Sequence, residues 1–207
     1  MRDKSIAILN LYDSGIEHYA CYTEDINRQY ANKHNYSYFR CLGSLDAARK
    51  SNWSKIKFLL NSMDAHKDVE WFWWLDSDAV ITNMDLKIED VVSLAKEGDI
   101  LLASKIPNLL NTGSFLIRNC ELSKKFLSEV YSKINYLKHS RAEEPAIWEV
   151  INYPEYSSRL TCVEPRVLNA GPNIWEEGFF IIHLYGTFRD IETIKKYHEK
   201  YLGKTKD

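Results

Sequence analysis

No apolar run in the 207-residue sequence approaches the ~20 residues that a bilayer-crossing helix needs. Cysteine is sparse: Cys21, Cys41, Cys120 and Cys162 lie far apart, with neither metal-ligand spacing nor the density of a disulfide scaffold. Reduced thiols are therefore expected. A net charge of -2 gives no positive excess with which to hold nucleic acid by bulk electrostatics. The P-loop is missing, and so is the glycine-rich turn of dinucleotide-binding folds. Repeats, low-complexity tracts and linkers are also absent, so one domain over 1–207 is expected. Met1-Arg2-Asp3-Lys4 leads directly into an apolar run without a secretion pattern, which makes the cytoplasm the expected compartment. The sequons at Asn35 and Asn52 carry little weight in that setting. The chain is equally readable as one domain of a longer polypeptide.

What remains is rich in large side chains, with 45% hydrophobic and 13% aromatic residues, enough for a substantial core. The densest stretch is Glu70-Trp71-Phe72-Trp73-Trp74-Leu75-Asp76-Ser77-Asp78-Ala79-Val80-Ile81-Thr82-Asn83. A run that is apolar at every position fits a strand buried on both faces. In extended backbone Asp76 and Asp78, two positions apart, point to the same side. Neighbouring carboxylates at a buried strand end repel unless a cation or a shared proton compensates. A hard divalent ion with oxygen ligands and open positions for phosphate is the simplest compensation. The alternative is a solvated turn, in which Asp and Ser are common.

Around this stretch the order of elements is that of an α/β fold. Ser5 to Leu11 reads as a buried strand, Ile16 to His34 as a helix and Tyr36 to Cys41 as a second strand, a parallel unit with a right-handed crossover. The turn after the first strand, with Asn10, Tyr12 and Asp13, is a nucleotide-contact candidate or an ordinary capped turn. Trp53 to His66 is an amphipathic helix whose early Lys55 is either a surface lysine or a phosphate contact. Further helices are expected over 85–96, 121–137 and from Arg141 through Ile151, with strands at 99–103, 160–165 and 179–186 and a turn feeding another strand over 111–118. The Glu143-Glu144 pair is either decoration of a helix start or a pair of acids facing an acceptor hydroxyl. His183 near the end of an apolar strand is a core histidine or a metal ligand, and Gly186 marks a tight turn or a close ligand approach. A basic helix from Arg189 closes the chain.

Four separated blocks occur in one order: Trp53-Ser54-Lys55; Trp73-Trp74-Leu75-Asp76-Ser77-Asp78-Ala79; Asn111-Thr112-Gly113-Ser114-Phe115-Leu116-Ile117-Arg118-Asn119-Cys120; and Ile182-His183-Leu184-Tyr185-Gly186. Together they resemble the GT-A fold glycosyltransferases of the galactosyl/mannosyl/xylosyl group, glycosyltransferase family 34, over most of the chain from Tyr30 to Gly186. The resemblance implies a single Rossmann-like α/β domain with a mixed, mostly parallel sheet flanked by helices. Within it, a nucleotide-binding part would span about 1–85 and an acceptor-side part about 86–190, followed by a C-terminal helix over 191–207.

It also implies Mn²⁺ (or Mg²⁺) held by Asp76, Asp78 and His183, and a nucleotide-sugar donor, UDP-hexose. Donor contacts would come from Asn10, Tyr12, Asp13, Lys55, Ser77 and Gly186. A glycan or glycoprotein would be the acceptor, and the anomeric configuration would be retained. Glu143, Glu144 and Asn111 are the candidates beside the reacting carbon, although Glu143-Glu144-Pro145 stands where the family has Asp-Asp-Gln, and proline cannot replace the amide. Trp148 and Trp175 are candidates for a flat surface under a sugar. Two other readings keep Asp76 and Asp78. A haloacid-dehalogenase-like phosphatase needs a second acid after Gly98-Asp99, where Ile100-Leu101-Leu102-Ala103 follows instead. A non-catalytic sugar- or metal-binding module would bind without turnover.

Overall fold

Trp71–Leu75, five consecutive buried residues, form the central strand on which both layers of the core are built. The computed structural model describes residues 5–103 and 111–203. In chain order the elements are β1 (Ile6–Tyr12), α1 (Glu17–His34), β2 (Ser37–Leu42), α2 (Ser54–Ala65), β3 (Trp71–Leu75), β4 (Ala79–Ile81), α3 (Ile88–Ser93) and β5 (Ile100–Ala103). There follow β6 (Ser114–Arg118), α4 (Glu121–Ser132), α5 (Glu144–Ile151), α6 (Pro154–Ser157), β7 (Leu160–Val163), α7 (Pro165–Leu168), β8 (Ile181–His183) and α8 (Ile191–Leu202).

The main sheet has the order β2-β1-β3-β6-β5-β7. Its β1–β2, β1–β3 and β5–β7 pairs are parallel, and only β6 runs against its two neighbours. This is the mixed, mostly parallel sheet flanked by helices that the sequence predicts. Alternation along β3 feeds both layers. Phe72 and Trp74 pack with Trp53, Ile56 and Leu59 of the α2 side and Phe126 of α4. Trp71, Trp73 and Leu75 pack with Tyr30 of α1 and Val91 of α3. Truncating any one of these fully buried rings to alanine is worth about 3–5 kcal/mol.

The expected continuous strand through the two aspartates breaks after Leu75. The amide of Ala79 donates to the Asp76 carbonyl at 2.9 Å, closing a turn, and β4 then leaves the main sheet to pair antiparallel with β8. A segment apolar on every face can change sheets here because the core continues on the other side: Val80 of β4 and Ile182 of β8 pack against Tyr19 and Ile26 of α1 and Ile194 of α8. Several predicted elements are shorter than expected. The helix over 85–96 is reduced to Ile88–Ser93, the one over 121–137 ends at Ser132, the strand over 160–165 ends before Pro165 and the last strand keeps only three residues. Pro165 lacks the amide a strand needs and starts α7 instead. All four cysteines are free. No helix among the described residues is long and apolar enough to cross a membrane.

Candidate active site

The carboxyl ends of β1 and β3 are where an open α/β sheet receives ligands, and the Asp76-Ser77-Asp78 turn lies there. The turn is braced from below. Asn10 Nδ2 donates to the Leu75 carbonyl at 2.8 Å and lies 3.3 Å from Ser77 Oγ, which donates to the Leu11 carbonyl at 2.9 Å. The Asp76 amide donates to the Gly113 carbonyl at 2.7 Å, continuing the β3–β6 ladder by one residue.

The β4–β8 pairing brings a third group to the turn. Its register sets His183 opposite Ala79, so the imidazole stands beside Asp78. His183 Nε2 lies 3.1 Å from Asp78 Oδ1 and 3.9 Å from Asp76 Oδ2. One donor atom from each of Asp76, Asp78 and His183 falls within 4.8 Å of the others. This oxygen-plus-imidazole set fits Mn²⁺ or Mg²⁺, the nitrogen favouring the softer of the two. Gly113 makes the arrangement possible: a β-carbon on it would lie 1.9 Å from His183 Cε1, so only glycine admits the ring.

Two cations balance the acids. Lys55, 3% exposed, places Nζ 3.1 Å from Asp76 Oδ1, 2.7 Å from Glu143 Oε1 and 3.2 Å from the Thr112 carbonyl. Its surface alternative therefore does not hold. Burial works against the ammonium, but Asp76 and Glu143 outweigh it and hold its pKa above the usual lysine range. One ammonium serves two carboxylates, and burial pushes the Glu143 carboxyl up despite Lys55. Ala142, in the left-handed region at φ 51°, turns the chain so that Glu143 points inward. On the other side Arg189 Nε and Nη2 donate to Asp78 Oδ2 at 2.7 and 2.6 Å. Burial opposes ionisation of Asp78, yet the hydrogen bond and charge of His183 and the Arg189 guanidinium hold its carboxyl below the usual range.

A cleft with about 520 Å³ of empty space opens over this cluster. Of the residues predicted from sequence, Tyr12, Asp13, Lys55, Asp76, Ser77 and Asp78 line it. Asn10 and His183 do not line it and stand just behind, Asn10 against Leu75 and Ser77 and His183 against Asp78. Asn111 does not line the cleft: its Oδ1 accepts from the Gly113 amide at 2.9 Å and from Asn169 Nδ2 at 3.0 Å. Glu144 is drawn aside by Arg141, with Nη2 2.5 Å from its Oε2, and Gly186 supports a tight turn at φ 61°. Trp148 packs against the core, and Trp175 donates to Thr82 Oγ1 at 3.1 Å on the α8 side. Neither lines the cleft. The tryptophan that does is Trp74, whose Nε1 donates to Asp76 Oδ1 at 2.7 Å. Asp99, which the phosphatase reading would use, is bound by Arg118 and Arg159 at 3.3 and 2.8 Å. Arg189, Trp74 and Tyr19 are the site residues that the sequence reading missed.

A glycosyltransferase involved in the glycosylation of the major capsid of PBCV-1 superimposes with a TM-score of 0.77 at 18% identity, over 95% of this chain and 99% of that one. Drosophila β1,4-galactosyltransferase 7, in complex with manganese, UDP-Gal and xylobiose, matches with a TM-score of 0.53 at 15% identity, over 99% and 77%. The fold is thus GT-A-like, the architecture of nucleotide-sugar-dependent transferases. The profile of the galactosyl transferase GMA12/MNN10 family, glycosyltransferase family 34, matches residues 17–101 and 93–190, and the chain belongs to that family. The α-1,2-galactosyltransferase of Schizosaccharomyces pombe is 27% identical over 202 residues, covering 77% of this chain and 54% of that protein. Against the curated relatives it matches, the chain spans between about a quarter and about half of their length.

Proposed function

We propose that this chain is a metal-dependent glycosyltransferase that moves a hexose from UDP-hexose to a glycan or glycoprotein acceptor with retention of configuration. The observation that carries the reading is the convergence of Asp76, Asp78 and His183, from two different sheets, at the floor of a cleft that also holds a guanidinium. Mn²⁺ or Mg²⁺ bound there would neutralise the charge that develops on the departing diphosphate. The chain's own residues do the rest. Asp76 and Asp78 would supply hard oxygen ligands to the ion, and His183 Nε2 a nitrogen. Arg189 reaches the same space and offers a planar, charged donor pair to a phosphate. Tyr12, Ile16 and Tyr19 give the far end of the cleft apolar and aromatic walls suited to a nucleoside. Glu143 acts through Lys55, fixing Asp76, and Asn111 acts through Gly113, fixing His183. UDP-hexose is supported by the galactosyl character of the family and by the UDP-Gal and manganese bound to the Drosophila neighbour.

The test is calorimetric titration with UDP, GDP and their hexose conjugates, with and without Mn²⁺. UDP binding that requires Mn²⁺, and is lost in Asp76→Ala or Asp78→Ala proteins with native circular dichroism, is the expected result. Metal-independent binding, or none with any nucleotide, would overturn the assignment. Retention is read from the anomeric coupling constant of the first product in proton NMR.

A further inference from the structure

Both oxygens of Asp78 are already engaged by the chain itself. His183 Nε2 faces Oδ1 at 3.1 Å, while Arg189 grips Oδ2 through two nitrogens at 2.7 and 2.6 Å. The Asp78 carboxylate is buried, and the guanidinium rests over the Tyr19 ring, 5.4 Å from its centroid. This is a closed charge arrangement within the chain. A divalent cation entering between Asp76, Asp78 and His183 must share Asp78 with a guanidinium one carboxylate away. Two like charges so placed disfavour each other.

The means of relief is built into the backbone. Arg189 is the single residue between the one-turn helix Gly186–Phe188 and Asp190, whose carboxylate caps α8 by accepting from the amides of Glu192 and Thr193. Both flanks are thus fixed, and the arginine side chain, 41% exposed, is the part free to swing. A diphosphate in the cleft would give the guanidinium a new partner and place negative charge between the two cations. The antagonism then becomes attraction.

We infer that Arg189 is a resident counter-ion of Asp78 that holds the divalent cation site weak until a nucleoside diphosphate draws the guanidinium away. Metal and nucleotide binding are thereby coupled, each tightening the other by the same factor. The inference rests on the proposed metal- and nucleotide-dependent reading of the same cleft and adds the order of events within it.

The experiment measures Mn²⁺ affinity by electron paramagnetic resonance of the free ion, without nucleotide and then with saturating UDP. It uses the unaltered chain, Arg189→Gln and Arg189→Lys. In the unaltered chain UDP should tighten Mn²⁺ by about tenfold or more. Arg189→Gln should bind Mn²⁺ alone about tenfold more tightly than the unaltered chain, and UDP should improve it far less. Arg189→Lys, a charge without the planar fork, should fall between. Unchanged or weaker Mn²⁺ binding by Arg189→Gln without nucleotide overturns the counter-ion role, while UDP-dependent metal binding in the unaltered chain keeps the proposed function standing. Absence of Mn²⁺ binding in all three proteins even with UDP overturns both.

Discussion

Lys55 and Arg189 each neutralise one of two neighbouring aspartates in one cleft, Asp76 and Asp78, and they are held in opposite ways. Lys55 is 3% exposed, comes from a helix packed beneath the sheet, and meets two carboxylates and two oxygens of Thr112. Arg189 is 41% exposed, follows a short turn, and has one carboxylate partner. A buried ion pair broken on one side leaves an uncompensated charge and costs about 3–5 kcal/mol, whereas an exposed pair is worth about 0–1 kcal/mol. The comparison teaches that the acids of this site are stabilised in two registers. One cation belongs to the fold and the other is available to the ligand.

Removing Lys55 strikes at the permanent side. Lys55→Met should lower unfolding free energy in urea by about 3–5 kcal/mol, because Glu143 is left buried without its partner. Lys55→Met combined with Glu143→Gln should recover most of that loss, since the uncompensated charge is gone. Should the double variant be as unstable as the single one, Lys55 would be acting through packing alone. Next comes Gly113→Ala. Its added methyl occupies the space of the His183 ring, which calls for a loss of about 1–3 kcal/mol and a clear drop in Mn²⁺ affinity. On the exchangeable side, Arg189→Gln should cost less than Lys55→Met in the same urea assay, because the guanidinium is 41% exposed and His183 still faces Asp78. A loss matching that of Lys55→Met would erase the distinction between the two cations.

Much of this site was legible in the sequence, and what was not follows from how far apart its parts lie. Asp76 and Asp78 announce themselves because two acids interrupt an apolar run. The sheet, too, could be anticipated from strands and helices in alternation. The sequence did not show that β4 leaves for a second sheet, because a strand apolar on both faces reads the same whichever neighbours cover it. Lys55 was readable as a surface lysine or as a phosphate contact, and its burial was not legible because its partners, Thr112, Glu143 and Asp76, are distant in the chain. Glu144 looked equivalent to Glu143, but a left-handed residue at Ala142 sends one inward and leaves the other to Arg141. Arg189 was read as part of a basic tail helix, although it precedes that helix and its turn faces the site.

The smallest effect sharpens the comparison on a single helix. Glu143 and Glu149 flank α5 and lie within it, and each accepts from a lysine, Lys55 at 2.7 Å and Lys133 at 2.5 Å. Burial pushes the Glu143 carboxyl up. Glu149, half-exposed, is held down to about 2 by hydrogen bonds from Lys133, Tyr136 and Tyr153. The signs of their pH dependence are therefore opposite. A carboxyl with a raised folded pKa favours the fold at low pH and loses that contribution as pH rises through the folded value. A carboxyl with a depressed one contributes above its unfolded pKa near 4.3 and loses the contribution as pH falls towards about 2. Glu149→Gln should accordingly cost under about 1 kcal/mol at neutral pH, after allowance for solvent screening, and nothing near pH 2. Urea midpoints measured from pH 7 to pH 2 should converge for the two proteins. A gap that stays constant across that range would assign Glu149 to packing, and the contrast between paired charges inside and outside the fold would then rest on Lys55 and Arg189 alone.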